Sequence, residues 1–256
     1  MNALGIDPRE ARLLLAAATG FSQASLLAFP ERGLPADVEK AFLASVARRR
    51  RGEPIAYILG RKEFYSLDLA VTPAVLIPRP ETELLVDLVL ERRPSSVLDL
   101  GIGSGAIALA VKKHLPAARV VGVEASAAAL EVAQRNAVRH GLQVEFRHGR
   151  WLEPFAGERF DLIVSNPPYV AEGDPHLHDL RFEPAGALVA GPDGLEAIRE
   201  IAAAAPAFLN DGGMLLLEHG QGQDAAVRAL LQRAGLEDVR TWPDLAGIPR
   251  VTGGKR

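Results

Sequence analysis

From Glu83 onward the chain alternates short apolar runs with amphipathic stretches, and this alternation limits the fold more than any other feature. Extended segments are predicted at Ser96–Leu100, Arg119–Val123, Gln143–Phe146, Leu162–Ser165 and Met214–Glu218, with weaker ones near residues 236–242 and 248–252. Helical spacing of apolar residues occurs at Glu83–Glu91, and between most of the strands at Ala106–Lys113, Ala127–Arg139, Leu195–Ala205 and Gln223–Ala234. Strands that are apolar along their whole length are the kind buried on both faces. Joined by helices, they predict an α/β fold, a Rossmann-like, doubly wound and mostly parallel sheet with helices on both sides.

The first 62 residues follow another pattern. Asp7-Pro8 reads as a helix cap followed by proline at the first helical position, and Gly20 as the stop. Ser22 is placed to cap a second short helix that ends near Pro30. Pro35 opens a third, with Val38, Phe42 and Val46 on one face, running through Arg48–Arg51 to Gly52. The arginine run reads as a solvated helix end, where cations suit the negative pole. This segment holds ten basic and six acidic residues, a net +4, whereas the other 194 residues carry 19 and 26, a net −7. Glu63–Val71 is predicted to be extended, as a hairpin around Ser66. The expected organisation is therefore a helical domain at 1–62, a β-hairpin linker at 63–78 and a large domain at 79–256.

Composition removes several function classes. The chain has no cysteine, which excludes disulfides, thiolate nucleophiles and cysteine-ligated zinc, and fits a reducing compartment. Its six histidines show no metal-binding spacing, so no metal is expected. No apolar run approaches the ~18 residues of a membrane span. Asp7 and Glu10, ahead of the first apolar stretch, give the wrong charge pattern for a secretory signal. A cytoplasmic protein without a membrane partner is the expectation. The net charge of −3 argues against general polyanion binding, and no direct nucleic-acid substrate is expected.

Two motifs carry chemistry. In Val97-Leu98-Asp99-Leu100-Gly101-Ile102-Gly103-Ser104-Gly105 an apolar strand turns through three glycines into a helix. Such a turn lets a ligand approach the backbone, and the helix N-terminus adds N–H groups and positive character. The same residues satisfy G-x-G-x-x-A with Ala106, so the loop alone admits a dinucleotide. Asp99, placed for the ligand's amino acid end, and a third glycine at Gly105 favour S-adenosylmethionine. Glu124, one strand later, suits ribose hydroxyls with either cofactor.

The second motif is Asn166-Pro167-Pro168-Tyr169, directly after the apolar strand Leu162–Ser165. A central strand cannot run on through two prolines, so the chain must turn at the carboxyl edge of the sheet. That is the edge where the glycine loop lies, and Asn166 is expected to face the cofactor. There its side-chain oxygen and the Pro167 carbonyl can accept the two N–H groups of a planar amine. Held in this way, the nitrogen lone pair is aimed at an activated methyl group, while Tyr169 offers an aromatic surface.

D-x-G-x-G-x-G followed by N-P-P-Y resembles the class I methyltransferases that modify planar nitrogens. Within them the chain resembles the release factor glutamine methyltransferases. The supporting segments are Pro54–Gly60, Ile77-Pro78-Arg79-Pro80-Glu81-Thr82-Glu83, Phe182-Glu183-Pro184, Gly191–Leu195, Glu218-His219-Gly220 and Asp244–Gly247. The resemblance implies methylation of the glutamine side-chain nitrogen in the Gly-Gly-Gln motif of class-1 peptide chain release factors, with S-adenosylmethionine as methyl donor. It implies cofactor contacts from Gly101, Ile102, Gly103, Ser104, Gly105 and Glu124, Trp151 near the adenine, and Asn166, Pro167, Pro168 and Tyr169 around the glutamine amide. It also makes the N-terminal helices a partner-docking domain. Relatives usually carry one more helix before the stretch matching Leu4–Asp7, so a shortened docking domain is expected. Arg150 stands where many relatives have an acid, which alters the adenine side of the pocket.

Three alternatives share parts of this pattern. An N6-adenine methyltransferase acting on nucleic acid also uses N-P-P-Y, but it must grip phosphates and extract a base, which a net −7 catalytic part does not favour. A glutamine methyltransferase of a ribosomal protein shares the catalytic motifs and fits the Arg79–Glu83 segment less well. A binding module without catalysis would not need Asn166 together with the full glycine loop. His219, after a buried-type strand, reads as structural. Glu183 reads either as an organiser of the substrate loop or as a salt-bridged acid, and Val170–Asp193 reads as a lid on the substrate side.

Overall fold

A computed structural model describes residues 4–256, and Met1–Ala3 of the expected first domain lie outside the described residues. The chain divides into two compact units, one ending at Arg61 and one spanning Lys62–Arg256.

The first unit holds helices α1 (Pro8–Thr19), α2 (Gln23–Ala28), α3 (Ala36–Arg50) and α4 (Ile55–Leu59). The Asp7 carboxylate accepts from the N–H groups of Arg9 (2.7 Å) and Glu10 (3.4 Å), and Gly20 ends α1 in the left-handed region. Ser22 caps α2 by accepting from Ser25 N–H at 3.1 Å. Leu14, Phe42 and Val46 form a small core, with Ile6, Ile55, Ile58 and Leu59 packed on it. The arginine run is more than a solvated end. Arg49 pairs with Glu10 at 2.8 Å and Arg48 with Glu53 through two hydrogen bonds, tying α3 to the start of α1 and to its own exit. Helix α4, five residues between Pro54 and Gly60, is too short to give a periodic signal in the sequence.

From Arg61, at the boundary, the chain forms a two-stranded sheet of β1 (Arg61–Phe64) and β2 (Leu67–Ala70). Tyr65 and Ser66 between them both take positive φ, 47° and 59°. Two-residue turns of this hand favour Asn-Gly, and here the strain is offset by contacts with α5 (Glu83–Arg92) and α6 (Ala106–His114). Tyr65 N–H donates to Glu83, its hydroxyl donates to Asp87 at 2.7 Å, and Lys113 donates to the Ser66 carbonyl.

Seven further strands form one sheet: β3 (Ser96–Leu100), β4 (Arg119–Glu124), β5 (Glu145–His148), β6 (Phe160–Ser165), β7 (Leu209–Glu218), β8 (Glu237–Pro243) and β9 (Pro249–Lys255). Their order is β5-β4-β3-β6-β7-β9-β8; the first five are parallel and the last two antiparallel. Helices α7 (Ala127–His140), α8 (Glu196–Ala204) and α9 (Asp224–Arg233) complete the layers. Alternation along each strand assigns its residues to two cores. Val97, Leu162, Val164 and Leu216 pack with α5, α6 and α7, while Leu98, Leu100, Ile163, Leu215 and Leu217 pack with α8 and α9. Each fully buried leucine or isoleucine contributes roughly 1.5–3 kcal/mol relative to exposure. Two strands depart most from expectation: β7 begins at Leu209, opposite Phe160, rather than at Met214, and β5 lies two residues later than Gln143–Phe146, in register with β4 as far as Glu124↔His148.

Candidate active site

Where β3, β4 and β6 end, the second unit encloses a cavity of about 630 Å³. The loop Gly101–Ser104 lines it together with Val123, Glu124, Trp151, Asn166, Pro168, Arg79 and Thr82, and residues between Pro184 and Ala190 also contribute.

The loop is shaped by backbone conformation. Gly101, Gly103 and Gly105 take φ of 72°, 56° and 88°, a region costly for residues with a Cβ. At Gly101 a Cβ would also stand 3.3 Å from the Trp151 ring, so the glycine lets the indole close against the loop. Gly101 and Ile102 N–H both donate to the Val123 carbonyl, and Gly103 N–H donates to Glu124 Oε2 at 3.0 Å. The other oxygen of Glu124 accepts from Ser126 N–H, also at 3.0 Å. A further glycine matters as much. A Cβ at Gly122, in the middle of β4, would fall 2.0 Å from Ile102 Cδ1, so this strand position makes room for the loop's only large side chain.

Asp99 is not on the cavity wall. Alternation along β3 turns it under the loop, 1% exposed, where Oδ2 accepts from Ala108 N–H in the first turn of α6 at 3.1 Å. Its Oδ1 is buried without a partner, and burial pushes the carboxyl up to about 7. Gly105 is also off the wall; it starts α6, and a Cβ there would sit 2.9 Å from Leu109 Cδ1.

The turn after β6 divides in the same manner. Asn166 and Pro168 line the cavity, whereas Pro167 and Tyr169 do not. The Tyr169 ring packs on the core formed with α8 and α9, and its hydroxyl donates to Glu218 at 3.4 Å. Tyr169 therefore does not present the cavity-facing aromatic surface expected of it, because the chain beyond Pro168 heads back toward the end of β7. Asn166 Nδ2 donates to Thr82 Oγ1 at 3.1 Å, and its Oδ1 is a buried acceptor with no partner. Glu218, 1% exposed at the end of β7, accepts from the Tyr169 hydroxyl at Oε1 while its Oε2 is buried without a partner, and burial pushes its carboxyl up to about 7.

Trp151 Nε1 donates to Glu200 at 3.1 Å, and Arg150 pairs with the same carboxylate. The positive charge at position 150 is thus matched from α8. Glu183 is buried beneath the segment that precedes α5, accepting from Ile77 N–H at 3.0 Å and pairing with Arg79. It ties the Val170–Asp193 stretch to the cavity's Arg79 side. His219 is fully buried between the Gly220 carbonyl and the Thr252 hydroxyl, and burial lowers its pKa, as befits a structural histidine.

The sequence reading missed Thr82, Gly122 and Glu200. A lone glycine inside an apolar strand is the signal that could have found Gly122, since it marks a close approach. Thr82 and Glu200 meet the motifs only in three dimensions, so no local spacing marks them. Among the described residues no group of three or more histidines or acids could hold a metal ion, and no helix is long and apolar enough to cross a membrane.

Two sequence families match parts of the chain. The sequence model of the PrmC N-terminal domain family matches residues 2–60, and that of the methyltransferase small domain family matches residues 80–181. The chain is 51% identical over 257 residues to the release factor glutamine methyltransferase of Xylella fastidiosa, a match covering 98% of this chain and 94% of that one. It is 49% identical to the protein of the same name from Burkholderia pseudomallei, over 100% of this chain and 94% of the relative. Among solved structures, a methyltransferase from Pyrococcus furiosus superposes with a TM-score of 0.60 at 20% identity, covering 82% of this chain and 96% of that one, which reflects the shared fold. Built on the class I methyltransferase fold, the chain belongs to the release factor glutamine methyltransferase family.

Proposed function

We propose that this chain transfers a methyl group from S-adenosylmethionine to the side-chain amide nitrogen of the glutamine in the Gly-Gly-Gln motif of class-1 release factors. The observation that carries this reading is the unpartnered, buried Oδ1 of Asn166 beside a glycine loop that opens on the same cavity. A buried acceptor left without a donor costs about 1–3 kcal/mol, and a planar N–H group supplied by a substrate removes that cost.

The residues present fit the cofactor. Glu124 offers carboxylate oxygens beside the loop, and Gly101 leaves the Trp151 ring free of a facing Cβ. When bound, S-adenosylmethionine supplies an activated methyl on sulfur. Glu124 would hold ribose hydroxyls, Trp151 would flank the base, and Ile102 would pack on apolar parts of the ligand. Asn166 Oδ1 accepts one N–H of the glutamine amide, and the Pro167 carbonyl is proposed for the other. These two acceptors fix the plane of the amide and raise electron density on nitrogen. The N–C bond would form as the methyl–sulfur bond breaks, and the surplus N–H proton would leave to solvent once the methyl is in place. The chain acts by orientation and electrostatics rather than by a strong base.

The domain assignment is likewise proposed: helices through residue 62 dock the protein partner, the hairpin to residue 78 links, and the remainder carries out transfer. A substrate belonging to the translation machinery places the enzyme in the cytoplasm. Tritium from labelled S-adenosylmethionine should appear on purified, unmethylated release factor, and changing the acceptor glutamine to alanine should abolish it. Labelling that persists on the alanine form, or that goes to rRNA or tRNA offered alongside, overturns the assignment.

A further inference from the structure

We propose that Asn136, on α7, is a positioning residue that sets the shape of the glycine loop and thereby the affinity for the cofactor. The inference rests on the reading of Gly101–Gly105 as the cofactor's seat. Asn136 is fully buried, and both polar atoms of its side chain are engaged. Its Oδ1 accepts from Ala70 N–H at 2.7 Å, and its Nδ2 donates to the Ala70 carbonyl at 3.0 Å and to the Ser104 carbonyl at 2.8 Å. One N–H and two carbonyls leave the amide a single orientation. A half-turn would set donors against a donor and an oxygen against two oxygens.

The loop needs a hold from outside. Gly101, Gly103 and Gly105 all take positive φ, and glycine adopts either sign of φ with similar ease, so these residues permit the loop's shape without imposing it. The first part is fixed from β4, where the Val123 carbonyl accepts from Gly101 and Ile102 and the Glu124 carboxylate accepts from Gly103. The peptide group between Ser104 and Gly105 comes after these contacts. Its N–H donates to the Ile102 carbonyl at 2.8 Å, and its C=O accepts from Asn136. Of the two bonds, the one to Ile102 lies inside the loop and moves with it. The one to Asn136 ties the loop to the rest of the fold. Without it the Ser104–Gly105 plane can turn, and the entry to α6 is no longer set.

Three separate segments meet at this amide. Asn136 stands 66 positions from Ala70 and 32 from Ser104, so no local spacing marks the contact. Toward Ala70, in β2, it offers an acceptor and a donor as a neighbouring strand would. These two bonds keep the amide from swinging, and the third carries the fixed point to the loop. The hairpin strand β2 thus supports the cofactor loop through one side chain. A loop that holds its binding shape in only a tenth of the molecules binds about tenfold more weakly, and a pre-set loop escapes that loss.

The test compares Asn136→Ala with Val227→Ala, which trims a fully buried side chain in the core formed with α8 and α9. Both are studied where circular dichroism shows them folded. Calorimetric titration with S-adenosylhomocysteine should give a Kd raised about tenfold in Asn136→Ala, the equivalent of one oriented hydrogen bond, and a wild-type Kd in Val227→Ala. KM for S-adenosylmethionine should rise by a similar factor, while kcat at saturating cofactor and KM for the release factor stay within about threefold. A side chain that serves stability alone would not separate these constants. A second readout needs no ligand. The Gly105 amide hydrogen, followed in ¹⁵N-labelled protein, should exchange with solvent about tenfold faster or more in Asn136→Ala than in wild type or Val227→Ala, because turning of the plane breaks its bond to Ile102. Wild-type affinity or wild-type Gly105 exchange in folded Asn136→Ala overturns the proposal, as does an equal loss of affinity in Val227→Ala. If wild type binds no S-adenosylhomocysteine, the cofactor reading fails, while Gly105 exchange still decides whether Asn136 holds the loop. If Asn136→Ala does not fold, Asn136→Asp, which keeps the acceptor for Ala70 N–H but donates nothing when ionised, is read by the same two measurements. Wild-type behaviour in either overturns the proposal.

Discussion

The wall of the cavity formed by Gly101–Ser104 is made chiefly of backbone, whereas the wall around Asn166 carries polar side chains contributed by residues 79, 82 and 166. The first gets its shape from what is missing: no Cβ at Gly101 to meet Trp151, and none at Gly122 to meet Ile102. The second gets its shape from side-chain hydrogen bonds: Asn166 Nδ2 donates to the buried Thr82 hydroxyl, and behind it the Tyr169 hydroxyl donates to the buried Glu218. A backbone wall should tolerate little added volume. A side-chain wall should tolerate added volume better but depend on the direction of each hydrogen bond.

Four substitutions press on that difference. The largest effect is expected at Asn166→Ala, which removes an orienting acceptor. We predict that kcat falls by about 10²-fold or more, as when a transition-state hydrogen-bonding group is deleted, with cofactor affinity nearly unchanged. Equal turnover in a methyl-transfer assay would refute the account of this wall. Next is Gly122→Ala. Its new methyl collides with Ile102, so unfolding in urea should show a loss of about 1–3 kcal/mol and cofactor binding should weaken. Adding Ile102→Ala should recover part of both losses, a non-additivity that marks direct contact.

Third, Glu183→Ala leaves Ile77 N–H and Arg79 without their acceptor, and should cost about 2 kcal/mol, a figure kept modest because Arg79 is a third exposed. The fourth concerns pH. Burial pushes Asp99 up to about 7 in the folded protein, so between its ordinary value near pH 4 and about pH 7 the folded state holds more protons than the unfolded one. Stability from this group is therefore greatest at low pH and declines as pH rises across that window, levelling above it. Urea midpoints of Asp99→Asn should decline less than those of wild type over the same range. A residual slope of the same sign is expected from Glu218. An identical slope in the two proteins would remove Asp99 as a source.

The contrast between the walls also explains what could be read from sequence. The strand–glycine–helix turn at Val97–Gly105 is contiguous, and its geometry follows from local φ preferences, so the loop and the sheet edge were legible. So was the stop after Ser165, because two prolines end a strand wherever they stand. Asp99 and Tyr169 were expected on the cavity because each lies within a motif, but alternation along β3 and the path after Pro168 carry them off the wall. Thr82 sits in a recognisable segment, yet only the meeting of the α5 start with the end of β6 gives its hydroxyl a role. The Tyr65-Ser66 turn shows the same limit from the side of stability: the residues favour no such turn, and Glu83, Asp87 and Lys113 hold it from outside.

The strand order β7-β9-β8 has a consequence for synthesis on the ribosome. β7 is made first, then α9 and β8, and only afterwards the strand that inserts between β7 and β8. During that interval the edge of β7 that ends in Glu218 has unpaired N–H and C=O groups, the kind of template that invites pairing with another chain. That exposure ends only when β9 takes its place and Val251 comes to lie opposite Glu218, so the last strand made is the one that closes the sheet.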